Sequence, residues 1–244
     1  MTSLFPTLLS LGLAAALLWA ALAEGRQQAR RALPAARLVR LEAVLACGAA
    51  GLVGGRLGYV GLHWSLYADH PLQSLFIWQG GLTGWAAAIG ALLGVAGYAA
   101  IRQEDAWQLA DHLILPATLV TFSVWLGCLA DGCAYGQPVD PPWGWSSPDA
   151  AGTVRPRWPT QALGALSTVA LMIPLHRGLR RPGLQPGMIA GLGMSALSAA
   201  VFGLSLVQAD PAPYWGQLRI QTLAWGLLMM LALTVTLIRW RSQP

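Results

Sequence analysis

The chain has 244 residues, 55% of them apolar and only 10% charged, with a mean hydropathy of +0.52. A water-facing surface needs roughly a quarter or more of its residues charged, so a soluble globular protein is excluded. The net charge of +5 rests on 15 arginines and no lysine. These are spread between apolar blocks rather than gathered on one face, which excludes a nucleic-acid interface and reads as membrane topology.

A bilayer core of ~30 Å needs about 20 apolar residues in a helix. Seven stretches meet or approach that length, so the sequence predicts an all-α polytopic membrane protein. The first is Leu4–Ala23. It has no basic residue before it and a dense basic run after it, the pattern of an uncleaved first span with its N-terminus outside. The second runs from about Glu42 to Trp64 and the third from about Leu75 to Ile101. Then follow Leu109–Ala130, the shorter Gln161–His176, Leu184–Val207 and Gln217–Ile238. Pro116, Pro174 and the glycines around Gly80 and Gly191 are tolerated in such a bundle, where small residues permit close packing.

Arginine placement gives the orientation. Arg26, Arg30, Arg31, Arg37 and Arg40 follow the first span, Arg102 the third, Arg177, Arg180 and Arg181 the fifth, and Arg239 and Arg241 the last. Those eleven share one side, against Arg155, Arg157 and Arg219 on the other, which predicts an exterior N-terminus and a cytoplasmic C-terminus. The chain is expected to form one transmembrane domain over 1–244, without internal repeat or soluble domain. Its largest exterior loop, at about 137–159, holds six prolines with Trp143, Trp145 and Trp158. Such a segment reads as an interfacial anchor or a lid over a lipid-accessible site.

Arg56 is the one arginine expected inside the membrane. A charge at that depth costs at least a few kcal/mol on insertion scales (about 2.5–3.5), so it reads as a headgroup-binding group or as half of an ion pair with Asp131. Asp111, near the start of the fourth span, reads as a structural carboxylate favoured by its own helix dipole. Cys47, Cys128 and Cys133 are too few for a disulfide framework, and the last two lack CxxC spacing, so they read as packing residues. His63, His70, His112 and His176 share no face at ligand spacing, so no metal site is expected, and no cofactor.

The run Gly54-Gly55-Arg56-Leu57-Gly58-Tyr59-Val60 resembles a signature of the prolipoprotein diacylglyceryl transferases. Further similarities follow in that family's order: Asp69-His70-Pro71-Leu72 into Ile77-Trp78-Gln79-Gly80-Gly81-Leu82; Leu109-Ala110-Asp111 with Pro116; Gly127-Cys128-Leu129-Ala130-Asp131-Gly132-Cys133-Ala134-Tyr135-Gly136; Arg157-Trp158-Pro159-Thr160-Gln161; and Gln208-Ala209-Asp210. The similarity covers about residues 42–225. It implies a periplasmic N-terminus, a place in the bacterial inner membrane, and transfer of a diacylglyceryl group from phosphatidylglycerol to the lipobox cysteine of a prolipoprotein. The implied partners are that phospholipid and prolipoprotein signal peptides. The implied headgroup-binding residues are Arg56, Tyr59, Asp131, Gly132, Tyr135, Gly136, Gln161 and Arg157.

The chain reads as a divergent member. The histidine of the family's His-Gly-Gly motif falls on Trp85, with Ala86 and Ala87 following, and an arginine of its signature block falls on Trp125. Its Arg-Phe…Glu…Arg pattern reads Val201, Phe202, Ser205 and Gln208, its Asn-Gly asparagine is Asp131, and a glutamate is Gly164. These exchanges remove charge and proton-transfer groups while keeping scaffold glycines. Two functions stay open on the sequence, an active or altered transferase and a catalytically silent relative that binds lipid or lipoprotein. A small transporter has little support.

Overall fold

The structure is a computed structural model that describes residues 4–23, 33–140, 142–149, 151–181 and 183–241. Arg26, Arg30 and Arg31 of the first basic run lie outside the described residues. Eight helices are described: α1 (Phe5–Leu22), α2 (Leu33–Leu62), the one-turn α3 (Trp64–Tyr67), α4 (Gly84–Arg102), α5 (Ala106–Asp131), α6 (Thr160–Arg180), α7 (Met188–Ser205) and α8 (Ile220–Arg241). All but α3 are long and apolar enough to cross a membrane, seven in all among the described residues. The all-α polytopic expectation holds, with two short hairpins added at one end: β1 (Trp145–Pro148) with β2 (Val154–Arg157), and β3 (Tyr214–Trp215) with β4 (Leu218–Arg219).

Helix α5 is the centre of the bundle. One core cluster joins Ala16 and Ala20 of α1, Ala43, Val44 and Cys47 of α2 and Ala99 of α4 to Leu109 and Leu113 of α5. A second joins Ile114 and Leu115 of α5 to Leu175 of α6 and to Ile189 and Leu197 of α7. In hydrocarbon, apolar burial gives little drive between helices, and close backbone approach does more. The α2–α4 seam illustrates this. A Cβ on Gly54 would sit 2.7 Å from the Ala86 carbonyl oxygen and 2.9 Å from the Gly90 Cα. Gly54 and Gly58 on one helix thus mesh with Ala86 and Gly90 on the other, each pair four residues apart.

Three sequence expectations are corrected here. The third span begins at Gly84, not near Leu75, because Pro71–Leu75 and Ile77–Gln79 form 3₁₀ turns. Gly80 and Gly81 lie at φ +84° and +79°, a left-handed backbone that breaks the helix, and the carbonyls of this segment turn towards Arg56. Asp111 does not serve its own helix. Asp105 is the N-cap of α5, accepting from Trp107 N (2.8 Å) and Gln108 N (3.1 Å). Asp111 instead accepts from Gly187 N and Ala190 N, both at 2.7 Å, and so caps α7 from a neighbouring helix. Finally, Cys128 and Cys133 are not separate packing residues, since they form a disulfide, while Cys47 is a buried free thiol.

Candidate functional site

At the end of the bundle where α5 stops and α6 begins, the chain builds a small polar platform. Helix α5 closes at Gly132, whose φ of +74° and N–H to the Cys128 carbonyl (2.9 Å) make a left-handed cap. The disulfide spans this same turn. The following strand-like segment is gripped from both sides. Gln137 N donates to the Val207 carbonyl (2.7 Å) and Ala209 N to the Tyr135 carbonyl (2.9 Å), while Val139 N donates to Pro156 and Trp158 N to Gln137, both at 3.0 Å. Residues 135–139 therefore lie between the end of α7 and the β1–β2 hairpin, with Gly136 bridged to Gln208 and Pro138 to Arg157. A side chain on Gly136 would collide with Trp158.

Arg157, 4% exposed, stands beneath this platform. Its Nη2 lies 2.9 Å from Asp149 Oδ2, its Nη1 donates to the Gly136 carbonyl (3.4 Å), and its guanidinium covers the Tyr135 ring at 5.1 Å. Asp149 sits in the hairpin turn, accepting from Ala151 N and Thr153 N, each at 2.9 Å. Those two N–H groups, Thr153's foremost, together with Arg157 hold the Asp149 carboxyl below the usual carboxylate range. Gln161 donates to the Cys133 carbonyl (2.9 Å) and Thr160 to that of Ala134 (2.5 Å), tying the head of α6 to the same turn.

A second buried cation lies at this end. Arg219, 6% exposed, donates through Nη2 to the Asp210 carbonyl (2.6 Å) and carboxylate (2.8 Å). Beside it Gln221 donates to Gln208 (2.7 Å), and Ser205 donates to Thr222 (2.9 Å). Nε of Arg157 and both Nε and Nη1 of Arg219 are buried with no hydrogen-bond partner among the described residues. Buried donors left unpaired cost about 1–3 kcal/mol each, more for charged groups, so such atoms call for an acceptor.

Of the residues expected at the site, Gly132, Tyr135, Gly136, Arg157 and Gln161 come together here, with Gln208 beside them. Arg56 and Tyr59 belong to a different assembly. Arg56 is 6% exposed and spends all five N–H donors on the 71–83 loop: Nε on the Ser74 carbonyl (2.6 Å), Nη1 on Gly80 (2.5 Å) and Gly81 (3.1 Å), Nη2 on Gln73 (3.0 Å) and Phe76 (3.3 Å). Tyr67 stacks over the group at 5.4 Å. No N–H remains for a phosphate in this arrangement. The alternative ion pair with Asp131 is overturned as well. Asp131 accepts from Leu4 N (2.9 Å) and Phe5 N (3.0 Å) and so caps α1. Tyr59 stacks on His63 at 4.2 Å.

Trp125 and Trp85 stand where the sequence resemblance implies an arginine and a histidine. Trp125 is 6% exposed, and its indole lies over Gly164 so closely that a Cβ there would overlap the ring. The Nε1 of Trp85 is buried without a hydrogen-bond partner among the described residues. Sequence reasoning did not single out Asp149, Asp210 or Arg219 as site residues, and it missed the disulfide. The hairpin had a readable signal, since Asp149 with Gly152 three positions later is turn chemistry between short segments.

Comparison with known proteins identifies the family. The family model described as prolipoprotein diacylglyceryl transferase matches residues 7–239. Relatives named phosphatidylglycerol–prolipoprotein diacylglyceryl transferase include one from Symbiobacterium thermophilum, 29% identical over 76% of this chain and 71% of the relative. Another, from Cupriavidus pinatubonensis, is 29% identical over 82% and 73%. A third, from Methylocella silvestris, is 32% identical over 62% and 58%. With its seven apolar spans and this match along almost its whole length, the chain belongs to the prolipoprotein diacylglyceryl transferase family, as a multi-pass protein of the bacterial inner membrane.

Proposed function

We propose that this chain binds phosphatidylglycerol at the polar platform and serves diacylglyceryl transfer to the lipobox cysteine of prolipoproteins, with its N-terminus periplasmic and its C-terminus cytoplasmic. The observation that carries this reading is the pair of buried guanidinium groups, Arg157 and Arg219, with three nitrogens that have no partner among the described residues, at one end of the bundle. A guanidinium suits the oxygens of a phosphodiester. In the transfer, the substrate thiolate forms a C–S bond to the glyceryl carbon, the C–O bond to phosphate breaks, and phosphoglycerol leaves with the electron pair. Cations beside the departing phosphate stabilise that charge. Gly132, Tyr135, Gly136 and Gln161 shape the platform, Asp131 anchors α1 to its edge, and Arg56 with Tyr59 positions the 71–83 loop. The exposed Trp143, Trp145 and Trp215 suit the headgroup level of the outer leaflet. The segment at about 137–159 thus belongs to a single transmembrane domain rather than to a separate unit.

A second reading, a silent lipid-binding relative, draws on the Trp125–Gly164 contact. An aromatic ring packed where the family carries an arginine supplies no cation to a transition state. The experiment is to express the chain in cells depleted of their own transferase and follow a reporter prolipoprotein by mass. Gain of a diacylglyceryl group, lost on Arg219→Gln, supports the first reading. An unmodified reporter beside a folded, membrane-inserted chain that still binds phosphatidylglycerol leaves the second.

A further inference from the structure

Far from the platform, at the opposite end of the bundle, an apolar cleft of about 300 Å³ opens between α1 and α6. Both helices pack along α5, and they meet each other at Trp19 and His176. The floor is Leu115 and Leu119 of α5, and the walls are Trp19 of α1 with Met172 and Ile173 of α6. The end of the cleft is closed by His176, which meets Trp19 edge-on at 5.2 Å between ring centroids, and by Arg177. Arg177 is exposed, and among the described residues no carboxylate forms an ion pair with it.

We infer that this cleft is a second lipid site, holding one acyl chain of a phospholipid whose anionic headgroup rests on Arg177. The apolar walls face the bilayer core, where hydrocarbon is the available occupant, and the cation stands at the end nearest the headgroups. An arginine stem lies along apolar surface while its head reaches the phosphate level, so one side chain serves both parts of the ligand. Arg180 and Arg181 lie one turn further on and do not line the cleft. They add to the general attraction of this end for anionic lipid, whereas Arg177 alone connects that attraction to the cavity. The site is separate from the phosphatidylglycerol platform and does not depend on it.

The test uses the full chain in vesicles carrying either phosphatidylglycerol or phosphatidylcholine with a diazirine in the acyl chain. After irradiation, adducts are mapped by peptide mass. The expected result is enrichment on the peptides carrying Leu115–Leu119 and Met172–Ile173, with roughly fivefold preference for phosphatidylglycerol, the factor that ~1 kcal/mol per basic residue gives. Arg177→Gln should remove the preference at those peptides, Arg180→Gln should keep most of it, and Leu119→Trp should block labelling with both lipids. Arg219→Gln should leave the labelling intact, which separates this site from the platform. Adducts spread evenly over all lipid-facing helices, or equal labelling by the two lipids in the unaltered chain, would overturn the proposal.

Discussion

The indole of Trp125 on α5 covers the backbone of Gly164 on α6, and neither residue can change alone without disturbing the other. The resemblance in sequence implies an arginine and a glutamate at these two positions, where this chain has a large ring over a residue without a side chain. Trp125→Arg should destabilise the protein by about 3 kcal/mol, since it puts an unpaired guanidinium into a buried helix face. Gly164→Ala should cost about 1–3 kcal/mol through overpacking against the ring. Making Trp125→Arg and Gly164→Glu together should recover at least about 1 kcal/mol relative to the summed single changes. Unfolding in detergent, measured as a double-mutant cycle, checks this; strict additivity would show that the two positions are independent.

Arg56 makes a sharper prediction about the loop than about chemistry. With five carbonyls pointed at one guanidinium, removal of the side chain leaves all five of these part-buried acceptors without that donor. Arg56→Ala should therefore destabilise by about 3 kcal/mol. Arg56→Lys should recover only part of that loss, because an ammonium has three donors and no planar fork. Hydrogen exchange should rise across 73–83 in both variants and stay unchanged in α6–α8. A loop that keeps its protection in Arg56→Ala would mean that the carbonyl cradle holds itself.

Much of this architecture was legible in the residues, and the parts that were not share a cause. Span number follows from apolar runs, which one side chain after another declares. The site did not, because its contacts depend on backbone direction. Arg56 reads as a headgroup ligand until one knows that Gly80 and Gly81 turn their carbonyls inward. Asp131 and Asp111 read as an ion-pair partner and a cap for its own helix, yet each caps a different helix, 126–127 and 76–79 positions away. Arg219 reads as a topology count because its partner Asp210 lies across a hairpin of only two residues per strand.

Asp149 carries a pH prediction. Its carboxyl titrates below its ordinary value, held down first by the Thr153 N–H, then by Ala151 and Arg157. A lowered folded value means the contribution is complete above the ordinary carboxylate pKa of about 4 and is lost as pH falls through the folded value. The β1–β2 hairpin should stay closed from pH 8 to about pH 5 and loosen only at strongly acid pH. Tryptophan fluorescence from Trp145, isolated by replacing the other indoles near the hairpin, should report that opening. Asp149→Asn should abolish its pH dependence. Opening near neutral pH would place control in another group.

The disulfide offers a test of both the turn and the membrane orientation. Cys128 and Cys133 are five positions apart, so closing so short a loop should stabilise by only about 2 kcal/mol on the chain-entropy model. Reduction should lower the unfolding midpoint modestly and leave the helices in place. The neighbouring bonds from Gln161 to the Cys133 carbonyl and from Thr160 to Ala134 still hold the turn. Denaturing alkylation without reductant should modify Cys47 alone, and with reductant all three thiols. In a Cys47→Ala background, spheroplasts treated with a mild reductant and then a membrane-impermeant maleimide should be labelled without lysis, because the turn lies at the end proposed to face the periplasm. Labelling that requires lysis would reverse the proposed orientation and, with it, the leaflet from which the Arg157 and Arg219 platform draws its lipid.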